Sequence, residues 1–305
     1  MPPSGQGGPE HGAVAFGLRW ASDVPLPAFA QAPVDSTPDV IIRRVAALAP
    51  REPVITIANA TLCKDGIRFA MEDGVTFDVY APSRIDWIAG PGWSGTFQPQ
   101  FFGTLTALLL AWRGGVPIHG TSVEIDGKAW LICGQSGAGK STLGAALVAS
   151  GAARLIADDL SLLGGTDDAM PSLRPGRPAM RLFPVIARLM EQAGAGIARD
   201  EPGNDKLIIE PPCVAPLESI PLAATILLGE NEAEMPWERE KLLRDHRFRP
   251  RWMDAIPGGE ARDRAIRLVA TATPMLFVPS ADIRDADAFK TRANAILERI
   301  RRLES

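Results

Sequence analysis

The sequence predicts an α/β protein in which a core with parallel strands follows a β-rich N-terminal region. A glycine-rich loop, Gly134–Thr142, stands between an apolar strand-like run and a helix-like run. A second strand-like run, Arg154–Ala157, follows that helix, and this order is typical of a βαβ unit with parallel strands. Before residue 90, short alternating runs are separated by turns such as Lys64-Asp65-Gly66, which is typical of antiparallel sheet.

The composition excludes several classes of partner. Lys and Arg together number 32 and Asp and Glu 36, so the net charge is −4 and no strongly basic surface is available for nucleic acid or an anionic membrane. The three cysteines, Cys63, Cys133 and Cys213, are far apart, which favours a reducing compartment and no structural zinc. The longest apolar stretch, Leu105–Trp112, is too short to span a bilayer. The first ten residues lack a signal-peptide pattern, and we therefore expect a cytoplasmic protein.

In chain order, we expect a Pro/Gly-rich segment over residues 1–39, a β-rich region over 40–115 and an α/β domain over 116–305. The β-rich region ends in an apolar run, Phe101–Trp112, which predicts a buried helix that stops at Arg113-Gly114-Gly115.

A β-hairpin is predicted directly before the glycine-rich loop. Two strand-like runs, Thr121–Ile125 and Lys128–Cys133, are joined by Asp126-Gly127, a strong signal for a two-residue turn. If the register set by that turn continues outward, His119 lies opposite Gly134. This predicts an active-site role for His119, the alternative being a structural or surface histidine.

The loop itself matches the P-loop pattern Gly-x-x-x-x-Gly-Lys-Ser, in which backbone amides, a lysine and a helix N-terminus bind phosphates. Lys140 can reach the β- and γ-phosphates, and the Ser141 hydroxyl can hold Mg²⁺. No Asn-Lys-x-Asp guanine motif is present, so we expect ATP and Mg²⁺ as ligands; a glycine-rich turn with no ligand is the alternative. The predicted phosphate cradle comprises Gly134, Gln135, Ser136, Gly137, Ala138, Gly139, Lys140, Ser141 and Thr142.

Two acids, Asp158 and Asp159, follow the second strand of the βαβ unit. The carboxyl ends of parallel strands meet at one edge of a sheet, where P-loop proteins hold Mg²⁺ through a carboxylate. One acid can hold the metal and the other can accept a proton from an attacking hydroxyl; a solvated turn or a helix cap is the alternative. Farther along, Arg181 and Lys206 are either substrate or phosphate contacts or surface charges. The charged segment Glu230–Arg251 predicts a solvated face or loop.

Together, Ile118-His119-Gly120, the hairpin, the loop and Leu155–Asp159 resemble the catalytic domain of HPr kinase/phosphorylase, a family distantly similar to phosphoenolpyruvate carboxykinase. The resemblance implies that Lys140 and Ser141 bind phosphate and Mg²⁺. It also implies that Asp158 is the general base and Asp159 its metal-side neighbour, although these two roles could be exchanged. His119 matches the histidine that precedes the P-loop in this family.

The chain departs from the family after the Asp pair, where the arginine-glycine stretch with its further glutamate and the later Pro-Gly-Arg-Asn stretch are missing. It therefore looks more like the divergent HPr-kinase-related proteins, some of which are associated with lasso-peptide modification. The resemblance implies an ATP-dependent kinase acting on a Ser or Thr hydroxyl of a peptide or small protein. A lasso precursor and an HPr-like protein are the candidate acceptors. A small-molecule kinase and a non-catalytic nucleotide-binding switch are the alternative functions. Assembly into a homo-oligomer is also possible from the sequence.

Overall fold

The computed structural model describes residues 9–35, 37–80, 83–164, 170–200, 205–212, 218–280, 283 and 285–304. The chain divides into two compact units. One comprises Met1–Gly114 with Arg251–Gly259, and the other comprises Gly115–Pro250 with Glu260–Ser305. Each unit contains its own sheet.

The first unit is built on a nine-stranded sheet with the order β3-β1-β2-β4-β9-β8-β7-β6-β5. Its strands are β1 (His11–Ala15), β2 (Leu18–Ser22), β3 (Ala30–Ala32), β4 (Val40–Arg44), β5 (Pro53–Ile57), β6 (Ala60–Cys63), β7 (Gly66–Ala70), β8 (Thr76–Tyr80) and β9 (Arg84–Ile88). Strands β5 to β9 form an antiparallel meander, as the turn signals predicted, whereas β4 pairs in parallel with both β2 and β9, so the sheet as a whole is mixed.

The apolar run after this sheet is helical and buried, as expected. A π-helical turn, Phe101–Leu105, continues into helix α1 (Thr106–Trp112). The Phe101 ring stacks on Phe97 with ring centroids 4.4 Å apart, and it lies 5.2 Å from the ring of Phe77 on β8. Aromatic packing therefore fixes this helix within the first unit.

The second unit alternates strands and helices. Its elements are β10 (Val116–His119), β11 (Thr121–Ile125), β12 (Lys128–Gly134), α2 (Lys140–Ala149), β13 (Arg154–Ala157), β14 (Leu160–Leu163), β15 (Ser172–Arg174), β16 (Met180–Leu182), α3 (Pro184–Gln192), β17 (Ala198–Asp200), β18 (Leu207–Ile209), β19 (Ile220–Leu228), α4 (Pro236–Asp245), α6 (Gly259–Ala272), β20 (Met275–Val278) and α7 (Ala286–Glu304). A short helix, α5 (Pro250–Ala255), belongs almost entirely to the first unit.

Its main sheet has the order β10-β14-β15-β19-β12-β11-β13, with β20 beside β19, and β16, β18 and β17 form a separate three-stranded sheet. The hairpin register is confirmed, since Thr121 pairs with Ile132 and Ile125 with Lys128. The expected pairing of His119 with Gly134 is wrong. His119 pairs with Leu160, because the chain leaves the hairpin at Gly120 and β10 runs beside β14 instead.

Strands β12 and β13 run in the same direction, as the βαβ pattern predicted. They are not neighbours, because β11 lies between them and is antiparallel to both. The run Leu160–Leu163 forms a separate strand, β14, directly after β13. The break falls at Asp159, whose φ of +67° is left-handed, a conformation that Asp adopts more readily than most residues.

Two apolar layers enclose the second sheet. Helices α2, α3 and α7 contribute to the core on one face, and α6 contributes to the core on the other. The segment Glu230–Arg251, expected to be a solvated face or loop, contains helix α4, which buries only Leu243 against this second core and presents the rest of its surface partly or fully to solvent. Among the described residues, the structure shows no helix that is both long and apolar enough to cross a membrane.

Candidate active site

The glycine-rich loop connects the end of β12 to the start of α2. Gly137 and Gly139 have φ angles of +82° and +94°, which glycine adopts at no steric cost. At Gly134, a Cβ atom would lie 2.7 Å from the carbonyl oxygen of Leu228 on the neighbouring strand. The path of the loop therefore requires glycine, and it ends at the N-terminus of a ten-residue helix, a favourable position for an anion.

Lys140 is buried beneath this loop. Its ammonium group donates hydrogen bonds to the carbonyl oxygens of Gly134, at 2.9 Å, and Gln135, at 3.1 Å. Burial lowers the pKa of Lys140, and the charges of Asp159 and Asp158 partly oppose this effect. The charges of the two carboxylates at the end of β13 therefore affect the ammonium group of Lys140. Lys140, Asp158 and Asp159, which the sequence predicted for one site, thus lie within electrostatic range of one another. A phosphate bound at the loop would offset the cost of burying the cation.

Asp158 is buried and fully engaged with neighbouring strands. Its Oδ1 atom accepts a hydrogen bond from the Thr121 hydroxyl at 2.7 Å, and its Oδ2 atom accepts one from the backbone N–H of Arg181 at 3.0 Å. Asp158 thus joins β11, β13 and β16 at one edge of the unit.

Asp159 and His119 form a pair that faces solvent. The His119 Nδ1 atom lies 3.2 Å from Asp159 Oδ1, and the two side chains are 39% and 42% exposed. Burial acts to raise the pKa of Asp159, but the hydrogen bond and charge of His119, with the charges of Arg181 and Lys206, outweigh it, so the pKa is lowered. Asp159 is therefore a carboxylate at neutral pH, within reach of a ligand.

Arg181 lies on β16 and Lys206 directly precedes the adjacent strand β18, and the charges of both residues lower the pKa of Asp159. The Lys206 ammonium group lies 5.0 Å from the centroid of the Phe183 ring, which is itself about half exposed. Both basic residues therefore belong to the same edge as the aspartates.

Two further residues at this edge, Glu230 and His246, were not predicted from the sequence. The Glu230 Oε1 atom lies 3.2 Å from Gln135 Nε2 and 3.3 Å from Nε2 of the buried His246. Burial lowers the pKa of His246. The sequence contains a pattern that could have predicted Glu230. An acid follows the apolar run Ala223–Leu228 after one glycine, much as the Asp pair follows β13. Glu230 was instead assigned to the charged segment that it begins.

Magnesium fits the oxygen donors of this site. Ser141 is half-buried in the first turn of α2, and its hydroxyl and an aspartate carboxylate are hard oxygen ligands of the kind Mg²⁺ prefers. Within the described parts of the chain, no three His, Cys, Asp or Glu residues are grouped as a metal-binding set. A Mg²⁺ ion held partly by phosphate and water needs only one or two protein carboxylates.

Two of the three cysteines lie in the described part of the chain. Cys63 and Cys133 are buried and free, and Cys213 lies outside the described residues. Burial raises the pKa of Cys133, which directly precedes the loop, to about 12, so its thiol stays protonated at neutral pH.

Comparisons with known proteins do not assign the chain to a family. It matches no protein-family model and no curated protein sequence. Among solved structures, the HPr(Ser) kinase/phosphatase from Coxiella burnetii matches with a TM-score of 0.33 and 15% identity, over 61% of this chain and 91% of that one. A likeness this weak carries no functional argument, so the site must be interpreted from its own residues.

Proposed function

We propose that the protein is an ATP-dependent phosphotransferase that phosphorylates a Ser or Thr hydroxyl on a peptide or small protein. The observation that carries this proposal is that three features lie together at one edge of the second unit. These are the glycine-rich loop with Lys140, the buried Asp158, and the partly exposed pair of Asp159 and His119. Thr121, which donates to Asp158, pairs with Ile132 just before the loop, and the charges of both aspartates act on Lys140. The sequence resemblance to HPr-kinase-related proteins supports the same reaction class.

The loop would act as a P-loop. Its amides, the N-terminus of α2 and Lys140 would hold the β- and γ-phosphates, and Lys140 would exchange its contacts with Gly134 and Gln135 carbonyls for phosphate oxygens. Mg²⁺ would be held by Ser141 and an aspartate, and when bound it supplies charge neutralisation on the phosphates.

The geometry favours exchanging the roles that the resemblance gives to the two aspartates. Asp158 is buried and both of its oxygens already accept hydrogen bonds, which suits a fixed group on the metal side. Asp159 is partly exposed, ionised and oriented by His119, which suits a group that must meet an incoming hydroxyl. We therefore propose Asp159 as the base and Asp158 as its metal-side neighbour.

In the proposed reaction, the acceptor oxygen attacks the γ-phosphorus and its proton passes to the Asp159 carboxylate. The bond from the γ-phosphorus to the oxygen bridging it to the β-phosphorus breaks, and ADP leaves. Most of the rate would come from alignment and charge neutralisation. The cations Arg181 and Lys206 would add positive charge where the transferring group passes.

The proposal is tested by transfer of label from γ-labelled ATP, with Mg²⁺, to serine-bearing peptides and small proteins. Matched peptides with Ala in place of Ser serve as acceptor controls, and hydroxyl metabolites are assayed in parallel. Lys140→Met should abolish transfer, whereas Lys290→Met, at an exposed lysine on α7, should leave it unchanged. Label on metabolites alone would favour a small-molecule kinase. ATP binding without transfer to any acceptor would favour a non-catalytic switch.

A further inference from the structure

Glu230 leaves the sheet beside the glycine-rich loop. Strand β19 is the parallel neighbour of β12, and Leu228 pairs with Gly134, the last residue of β12. Ligands of open α/β sheets bind in the crevice outside the carboxyl ends of such strands. Glu230 therefore flanks the loop from β19, whereas Asp158 and Asp159 flank it from β13.

A single carboxylate oxygen of Glu230 serves two neighbours. Its Oε1 atom accepts a hydrogen bond from Gln135 Nε2, and the same atom faces His246 Nε2 at 3.3 Å. His246 Nε2 is buried and makes no hydrogen bond among the described residues, and the Glu230 carboxylate is the acidic group that lies 3.3 Å from it. The charged groups acting on His246 are Glu230, Lys140, Asp245 and His119.

His246 is in turn fixed to the strand that carries His119. Its carbonyl oxygen accepts the His119 backbone N–H at 2.8 Å, and the Phe248 N–H donates to the carbonyl of Pro117 at 2.9 Å. A continuous series of contacts therefore runs from Gln135, through Glu230 and His246, to His119.

We propose that Glu230 is a positioning residue for the nucleotide. It holds Gln135, the first residue of the loop after Gly134, against His246 and so keeps the loop in a binding conformation before the phosphates arrive. This inference rests on the proposed function, because it takes the loop as the nucleotide site. It assigns Glu230 a role through the contacts of one oxygen, a hydrogen bond from Gln135 and a 3.3 Å contact with His246, and not through its charge.

The test compares Glu230→Ala with Glu230→Gln, and uses Glu232→Gln, at an exposed neighbouring glutamate, as the matched control. The dissociation constant for ATP with Mg²⁺ is measured by titration calorimetry, and the unfolding temperature is measured alongside. Loss of the two contacts in Glu230→Ala should weaken ATP binding about ten-fold. Glu230→Gln keeps an oxygen that can accept from both neighbours, so its dissociation constant should stay within about three-fold of wild type, like that of the control.

The inference is overturned if Glu230→Ala binds ATP as tightly as wild type, or if Glu230→Gln binds as weakly as Glu230→Ala. The second result would assign the role to charge. If Glu230→Ala does not fold, Gln135→Ala removes the hydrogen bond from the other side and should weaken binding by a smaller factor, because the contact between Glu230 and His246 remains; unchanged binding would overturn the inference. Because ATP affinity is measured without an acceptor, absence of phosphate transfer would count against the proposed function and leave this test intact.

Discussion

The His119 imidazole lies 3.2 Å from the Asp159 carboxylate and so joins the end of β10 to the turn between β13 and β14. The pKa of Asp159 is lowered, because His119, Arg181 and Lys206 together outweigh the effect of burial, which acts to raise it. A carboxyl group with a lowered folded-state pKa contributes stability above its unfolded pKa of about 3.9 and loses it as the pH falls through the folded value.

We therefore expect Asp159→Asn to reduce the free energy of unfolding at pH 5 to 7 by about 1 kcal/mol or less, since water screens this partly exposed pair. The difference from wild type should shrink as the pH is lowered below about 4. Urea unfolding of both proteins between pH 3 and 7 measures it. A difference that does not change with pH would show that the carboxylate has no favourable charged partners.

Because the hydrogen bond from Thr121 to Asp158 is buried, we expect a nearly isosteric substitution of Thr121 to reduce the stability of the protein strongly. Thr121→Val removes the hydroxyl and leaves one oxygen of a buried carboxylate without its partner, so we expect a loss of about 1.5–3 kcal/mol in unfolding free energy. Thr121→Ser keeps the hydroxyl and should cost about 1 kcal/mol, mainly for the lost methyl group. Equal losses in the two variants would contradict this account of Asp158.

Helix α2 approaches β11 closely at Gly144. A Cβ atom there would lie 2.5 Å from Cγ2 of Thr121 and 3.3 Å from Cε of Met180. We expect Gly144→Ala to destabilise the protein by about 1–3 kcal/mol, despite the greater helix propensity of Ala.

Thr121→Ser removes the methyl group that the new Cβ would meet. The double variant should therefore lose less stability than the sum of the two single losses. Urea denaturation of the four proteins gives the coupling free energy. If the stability losses of the two single variants add up to that of the double variant, the added methyl group does not contact the Thr121 methyl group.

Local patterns predicted much of the second unit. The Asp126-Gly127 turn set the hairpin register, and the loop after β12 leads directly into α2 as expected. Both signals depend on neighbouring residues in the chain, which is why they could be read from the sequence. The register could not be continued to His119, because the hairpin pairing ends at Thr121, and the partner of β10 lies about 40 residues away in β14.

Long-range strand pairing also explains the other features that the sequence did not predict. Strands β1 to β3 occupy a Pro/Gly-rich segment in which no strands were predicted, and their pairing with one another and with β4 forms them. Glu230 and His246 lie in a stretch dominated by alternating charge, and only the parallel pairing of β19 with β12 places Glu230 beside the loop. The local pattern shows an acid after an apolar run, but it does not show which strand lies beside that run.

In the proposed reaction, the loop after β12 and the acids after β13 act on the same phosphate group. A crystal structure of the protein with Mg²⁺ and a non-hydrolysable ATP analogue would show whether they do. We expect the triphosphate within Gly134–Thr142, the Lys140 ammonium about 3 Å from a phosphate oxygen, and Asp159 with His119 facing the γ-phosphate. An analogue bound elsewhere, or a γ-phosphate pointing away from Asp158 and Asp159, would contradict it.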